Sequence, residues 1–426
     1  MKRICILLTL CMLAFNVFSI EKIETNGFIS QGFIYSKYNN YLVHSIGGSF
    51  EFNETAINFR THIDERLTVG IQLLSRDLGD QGNNQIKLDW GFADYQINNK
   101  TGMRIGKFKS PPGFYNVIRD VDLLRNEVFL PQAVYDESSR EFFNSMTGLD
   151  FYFNQYTDKG DFELELVSGV SSFDENSAYL RNMASEFSEA GIEMSNQTLD
   201  IYSDNGFAFT YTFPNTNLSF KYANYRINGQ VNANVDASNY YTAALAQTAS
   251  LVGAGAITAA QKTALDAQAL ANKNTLESGI QNFDVNVDRW YIYGFKYQKN
   301  RFGFCHERKK MDAFVDIPVL NITEGLLDLG YYSKIEYVLD KKTNIFLFSS
   351  TYYANEEKKE MNNGFNPFHR GYQKDNCLGL RYNIDDSTTA KFEYHDVEGT
   401  AQVYTYLNDT LTKDWSYIAL KVTVSF

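Results

Sequence analysis

The feature that most constrains this chain is a rhythm. Segments that alternate apolar and polar residues recur along most of its length, and the connections between them are short and long in turn. Alternation with period two places successive side chains on opposite faces of a strand. The candidate strands are Gly27–Tyr38, Gly47–Ile63, Leu67–Leu78, Ile86–Asn98, Thr101–Lys109, Gly148–Gln155, Asp161–Ser172 and Gly206–Phe213. They continue with Asn217–Asn228, Asp288–Gln298, Arg301–Lys310, Leu326–Leu339, Thr343–Ala354, Asp375–Asn383, Thr388–Val397 and Trp415–Phe426. Short polar links such as Asp64-Glu65-Arg66, Asn99-Lys100 and Asp340-Lys341-Lys342 form tight turns. Long links such as Ser110–Thr147, Phe173–Asn205 and Gly229–Val287 separate the hairpins. A soluble sandwich has no reason to keep this rhythm, whereas a membrane barrel has short turns at one end and long loops at the other.

The expected fold is therefore all-β: a transmembrane antiparallel β-barrel of about sixteen strands. Other features agree. No apolar run beyond the N-terminus approaches the ~18 residues of a spanning helix, and mean hydropathy is −0.34. Aromatic residues make up 15 %, with 29 Tyr and 33 Phe against 6 Pro, which suits strands and a membrane–water boundary. The faces separate by polarity. Leu67, Val69, Ile71 and Leu73 point one way, and Thr68, Gly70, Gln72 and Arg76 the other. Phe162, Leu164 and Leu166 oppose Glu163 and Glu165, and Ala390, Phe392 and Tyr394 oppose Lys391, Glu393 and His395. A Lys or Arg facing lipid at the midplane costs ~2–4 kcal/mol, so the polar face is expected to line the lumen. The lumen-wall candidates are Arg60, Arg76, Lys87, Arg104, Glu163, Glu165, Lys391, Glu393 and Lys421.

Residues 1–19 read as a cleavable export signal: Lys2 and Arg3, then apolar Ile4–Phe15, then Val17-Phe18-Ser19. Residues 20–426 are then one barrel. Without Lys2 and Arg3, 37 basic residues face 51 acidic ones, and the net charge moves from −12 to −14. That balance disfavours a nucleic-acid partner. Cys305 and Cys377 remain after cleavage, on strands placed three apart, and are expected to be free thiols.

Two long links carry further expectations. Residues 229–287 form an external loop whose Ala-rich part, Asn239–Leu276, should split into two helices at Gly253-Ala254-Gly255. Thr258-Ala259-Ala260-Gln261 reads as a capping box for the second. Asp174–Glu193 is a further helix candidate. The other link is Ser110–Thr147. Here Arg119, Asp120, Asp122, Arg125, Glu127, Asp136, Glu137, Arg140 and Glu141 interleave both charge signs, while Leu123, Leu124, Val128, Phe129 and Leu130 could pack on an inner wall. Folded inward, such a segment would narrow a channel, and opposed charges across the gap would sort solutes.

This stretch also carries a resemblance. Arg104-Ile105-Gly106-Lys107, Pro112-Gly113-Phe114-Tyr115-Asn116, Arg119-Asp120-Val121, Leu130-Pro131-Gln132 and Tyr135 look like the constriction region of a porin-like family of Gram-negative bacteria. The resemblance implies an outer-membrane barrel that passes small hydrophilic solutes by diffusion, often as a homotrimer, amid lipid and lipopolysaccharide. The last strand, alternating and ending on Phe426, resembles the signal read by the barrel assembly machinery.

Two rivals are weighed against this. A surface receptor or adhesin would use the long external loops. A barrel hydrolase would need a nucleophile and base, yet His44-Ser45 does not make the pattern of the barrel phospholipases, and no phosphate loop, nucleophile elbow or metal-spaced His/Cys cluster is visible. Neither catalytic residues, a metal nor a cofactor is expected.

Overall fold

The computed structural model describes residues 22–79, 81–317, 322–356 and 368–426. The expected export signal lies outside them. Among the described residues sixteen strands run antiparallel, each hydrogen-bonded to its neighbours in sequence. They are β1 (Glu24–Lys37), β2 (Phe52–His62), β3 (Leu67–Leu78), β4 (Gln81–Asn98), β5 (Thr101–Lys109), β6 (Ser145–Thr157), β7 (Gly160–Phe173) and β8 (Glu193–Thr212). After these come β9 (Leu218–Asp236), β10 (Ile280–Lys299), β11 (Phe302–Ile317), β12 (Ile322–Val338), β13 (Thr343–Tyr353), β14 (Tyr372–Asn383), β15 (Thr388–Gly399) and β16 (Asp414–Ser425). Strand β1 pairs with β16, from Phe28↔Ser425 to Lys37↔Ser416, and so closes the barrel. Closure leaves no unpaired backbone edge to face hydrocarbon. The seam runs to the end of the chain, where Gly27 and Phe426 exchange backbone hydrogen bonds of 2.9 and 3.0 Å.

Four of the tight turns share one device. The Asp64 carboxylate accepts from the Arg66 and Leu67 amides at 2.8 and 2.9 Å. Asn98, Asp340 and Asp385 do the same for the amides two and three residues on. A short acceptor that folds its own backbone is why Asp and Asn stand at these turns.

The outer face is apolar: Val69, Ile71, Leu347, Leu378, Leu420 and Val422 are all exposed. Inward neighbours such as Gln72, Lys391, Glu393 and Lys421 are buried within the lumen. Among the described residues no helix is long and apolar enough to cross a membrane.

Polarity reverses toward the long-loop end of β8–β10. There Leu199, Ile201, Val231, Val235, Phe283 and Val285 point inward and are buried, and Asp200, Asn234 and Asp236 point out. This part of the sheet packs on its inner side against Leu180 of the helix Ala178–Glu189. It is built like a soluble sheet, apolar inside and polar outside.

That reversal corrects several sequence boundaries. Residues 193–205, 229–236, 280–287 and 311–317 belong to strands, not loops. The long external connection is thus 237–279, and the inward one is 110–144. Strand β2 begins at Phe52 rather than Gly47. Gly47 and Gly48 hold φ of 90° and 94°, which an extended ladder does not accommodate. The Ala-rich connection does form two helices, Ser238–Gly253 and Ala259–Leu276. The Thr258 hydroxyl accepts from the Gln261 amide at 3.2 Å, and the Thr258 amide donates to the Gln261 side chain at 2.8 Å.

Candidate functional site

Residues 110–144 leave β5 and enter the barrel. Pro111-Pro112-Gly113 turns the chain, and Gly113 holds φ of 65°. A short helical turn, Asp122–Leu124, and a short helix, Arg140–Asn144, follow. The segment lies hard against the far wall. A Cβ at Gly330 of β12 would come within 1.7 Å of the Ala133 carbonyl oxygen, so glycine is required there. Phe129 stacks on Phe52 of β2, with centroids 5.1 Å apart. Val128 and Leu130 are buried as the sequence suggests. Leu124 is not: it is 59 % exposed, with Val117 and Val121 also exposed.

The charged residues of the segment are used as anchors. Asp122 accepts from Lys391 at 2.9 Å, from Lys421 at 2.7 Å and from the Thr423 hydroxyl at 2.7 Å, and pairs with Arg125 at 3.1 Å. Burial would raise its carboxyl, but these cations hold it well below the ordinary range. Glu127 pairs with Lys334 of β12, a strand across the barrel from β3. Glu137 pairs with Arg76 at 2.5 Å and with Arg119 at 2.8 Å. Burial would lift the Glu137 carboxyl, yet Arg119 and Arg76 bring it down to about 2. Asp120 pairs with Lys109 and Arg140. Arg125 donates to the carbonyls of Arg119, Glu127 and Val128 and so staples the segment to itself. Asp136 accepts from Ser138 and Ser139.

The sequence expectation of opposed charges facing each other across a gap therefore meets a different arrangement. Arg119, Asp120, Asp122, Arg125, Glu127, Glu137 and Arg140 are all buried. A charge inside a barrel is costly to leave without a counter-ion, so the segment pairs its charges with the wall and with itself. Asp136 and Glu141 stay partly accessible.

The wall candidates divide similarly. Lys391, Glu393, Lys421 and Arg76 hold the segment; Glu393 accepts from the Val128 and Phe129 amides at 2.8 and 3.1 Å. Arg104 instead forms a wall cluster with Asp150 at 2.7 Å and with Asp94 and Glu165 at 3.4 Å. Glu163 accepts from Tyr156 at 3.2 Å. Arg60 is exposed near the Asp64 turn, apart from the segment. Lys87 pairs with Glu141 at 3.0 Å across a cavity of about 290 Å³. Arg76, Lys87 and Lys107 line that cavity from the wall, and Arg140, Glu141 and Asn144 from the segment. Lys107 donates to the Leu88 carbonyl at 2.7 Å. Burial, then Arg76 and Arg119, lowers the Arg140 guanidinium to about 9 against the pull of Glu54 and Asp89.

Sequence reasoning missed several anchors. Glu54 pairs with Lys421 at 2.5 Å and with Arg76 at 3.0 Å. Asp89 pairs with Lys109 at 2.9 Å. Glu307 accepts from the Tyr135 and Tyr332 hydroxyls at 2.7 and 2.6 Å and from the Phe114 amide at 2.8 Å. Glu307 and Lys334 lie on inward positions that the alternation of β11 and β12 already marks. Asp89 sits at a register shift of β4, where counting by twos fails.

No protein-family profile matches the chain, and no curated protein sequence matches it. Solved structures do. A Salmonella typhi OmpF, in complex with daunomycin, matches with a TM-score of 0.53 at 11 % identity, covering 95 % of this chain and 98 % of that one. The chain has the porin-barrel fold. An anion-selective porin from Comamonas acidovorans matches at 0.50 with 8 % identity, over 95 % and 99 % of the two chains. A loop-deletion mutant of OmpT, an outer membrane protein of Vibrio cholerae, matches at 0.50 with 11 % identity, over 95 % and 99 %. In this sixteen-stranded barrel the lumen carries the segment 110–144, tied to opposite walls.

Proposed function

We propose that the protein is a porin of a Gram-negative outer membrane, passing small hydrophilic solutes and ions by diffusion. The observation that carries this reading is the segment 110–144, held inside a closed, apolar-belted barrel by ion pairs to β2, β3, β5, β12, β15 and β16. A rigid insert narrows a lumen without relying on mobile parts, and the cavity lined by Lys87 and Lys107 lies between the insert and the wall. Channel function needs no bound cofactor and no catalytic group. His395, the histidine set between two carboxylates, is enclosed under Tyr417, too deep for an ester or peptide substrate. A homotrimer follows from the resemblance. Lipid and lipopolysaccharide would meet the remaining belt, and Phe426 would serve assembly.

The exposed helical pair Ser238–Gly253 and Ala259–Leu276 favours a second reading, a surface receptor. Solute flux separates the two. Proteoliposomes carrying the folded protein should swell in isosmotic solutions of small sugars or amino acids, and not in those of large dextrans. Liposomes that do not swell would remove the channel reading.

A further inference from the structure

The lumen holds a cluster of which the channel reading uses only Glu393. Strands β14 and β15 pair with Cys377 directly opposite His395. Asp375 and Glu393 occupy the adjacent inward positions on the same two strands, so alternation and register bring four donors into one patch. The sulfur of Cys377, a Glu393 oxygen and a His395 nitrogen all lie within 4.8 Å of one another. All three residues are buried. Asp375 contacts His395 Nδ1 at 2.9 and 3.0 Å, and Glu393 Oε2 lies 3.3 Å from Nε2. The imidazole is fixed further by Tyr417, stacked on it at 4.0 Å, and by the edge of Phe348. The Tyr417 hydroxyl is itself buried and without a hydrogen-bond partner.

We infer that Cys377, Glu393 and His395 form a binding site for a borderline-soft divalent cation of the zinc type. A thiolate, an imidazole and a carboxylate suit such an ion, whereas magnesium and calcium prefer oxygen alone. Asp375 stands where a carboxylate behind a metal-bound histidine stands: by holding Nδ1–H it leaves the Nε2 lone pair for the ion. Glu393 can serve the ion and still hold the segment 110–144. Each carboxylate oxygen has two lone pairs, and the Val128 and Phe129 amides take one on each. Binding releases the Cys377 thiol proton and any proton on Nε2; no electron transfer is involved. Three protein ligands leave a fourth position for water. The site does not depend on channel function, since a barrel without conductance would bind the ion equally.

The test is titration of the untagged, detergent-folded, metal-stripped protein with cobalt(II), which reports its own coordination. One equivalent should bring tetrahedral visible bands and a near-ultraviolet thiolate charge-transfer band, and zinc should displace it. Cys305→Ser should leave the spectrum intact. Cys377→Ser should lose the charge-transfer band, and Asp375→Asn should weaken binding by about 10- to 100-fold. Zinc should raise the unfolding temperature of the wild type and not of Cys377→Ser. Absence of stoichiometric cobalt binding by the folded wild type, or a charge-transfer band that survives Cys377→Ser, would overturn the proposal.

Discussion

Glu137 shows how much the lumen asks of single residues. It sits among Arg76, Arg119 and Arg140 with almost no exposure. Its carboxyl is brought from 4.5 to about 2, so the folded state favours its charged form. A carboxyl lowered on folding contributes stability above its unfolded pKa and loses it as pH falls through the folded value. Urea unfolding in detergent should therefore show Glu137→Gln less stable than wild type at pH 7, by roughly 3 kcal/mol at most. The gap should shrink as pH falls from about 4.5 toward 2. A gap independent of pH would mean that Glu137 acts by packing alone. Residues that anchor the segment differ from residues that face the cavity. Arg119 and Arg125 are enclosed and paired, while Lys87 and Lys107 line the cavity. Replacing both lysines with Gln should move the reversal potential toward cation preference under a salt gradient. An unchanged potential would exclude the cavity from the ion path.

Strands and loops were legible in the sequence to different depths. The membrane-facing halves follow from period two, because lipid demands an apolar outer face and the turns carry Asp or Asn at fixed places. The far ends of β8, β9 and β10 were hidden for a physical reason. Above the belt the outer face meets water, so Asn232, Asn234 and Asp236 point out while Val231, Ala233 and Val235 point in. A search for outward apolar residues reads that stretch as loop. The segment 110–144 was legible as an inward, charged insert, but its partners were not. Pairs such as Asp122–Lys421 and Glu127–Lys334 join residues hundreds of positions apart, and neither spacing nor periodicity links them. Its exposed Leu124, Val117 and Val121 were also beyond reach, since which apolar side chains meet a wall depends on how the insert docks. The helical pair 238–276 was read from composition and its capping box, and it packs mainly on itself through contacts such as Thr248–Asp266. Deleting residues 238–278 and joining β9 to β10 by a short polar loop should leave folding and conductance unchanged. Loss of the heat-modifiable barrel would show that these helices hold the sheet together.

At the scale of the whole molecule, the barrel solves two opposite solvent problems with one sheet. Outside, lipid excludes polar groups, and the closed ladder satisfies every strand pairing through β1 and β16. Inside, charges that would be unfavourable in a dry core are neutralised pair by pair by an insert of opposite signs. Phe426 belongs to the first solution: it completes the seam with Gly27. The insert belongs to the second: it carries the counter-charges that the wall residues pair with. Diffusion through the lumen is what the proposed channel requires. Single-channel recording of the purified, heat-modifiable protein in planar bilayers shows whether ions pass. Stepwise, ohmic openings are predicted, together with larger steps when the insert is shortened. A correctly folded barrel that leaves the bilayer silent, with and without its insert, would rule out a channel.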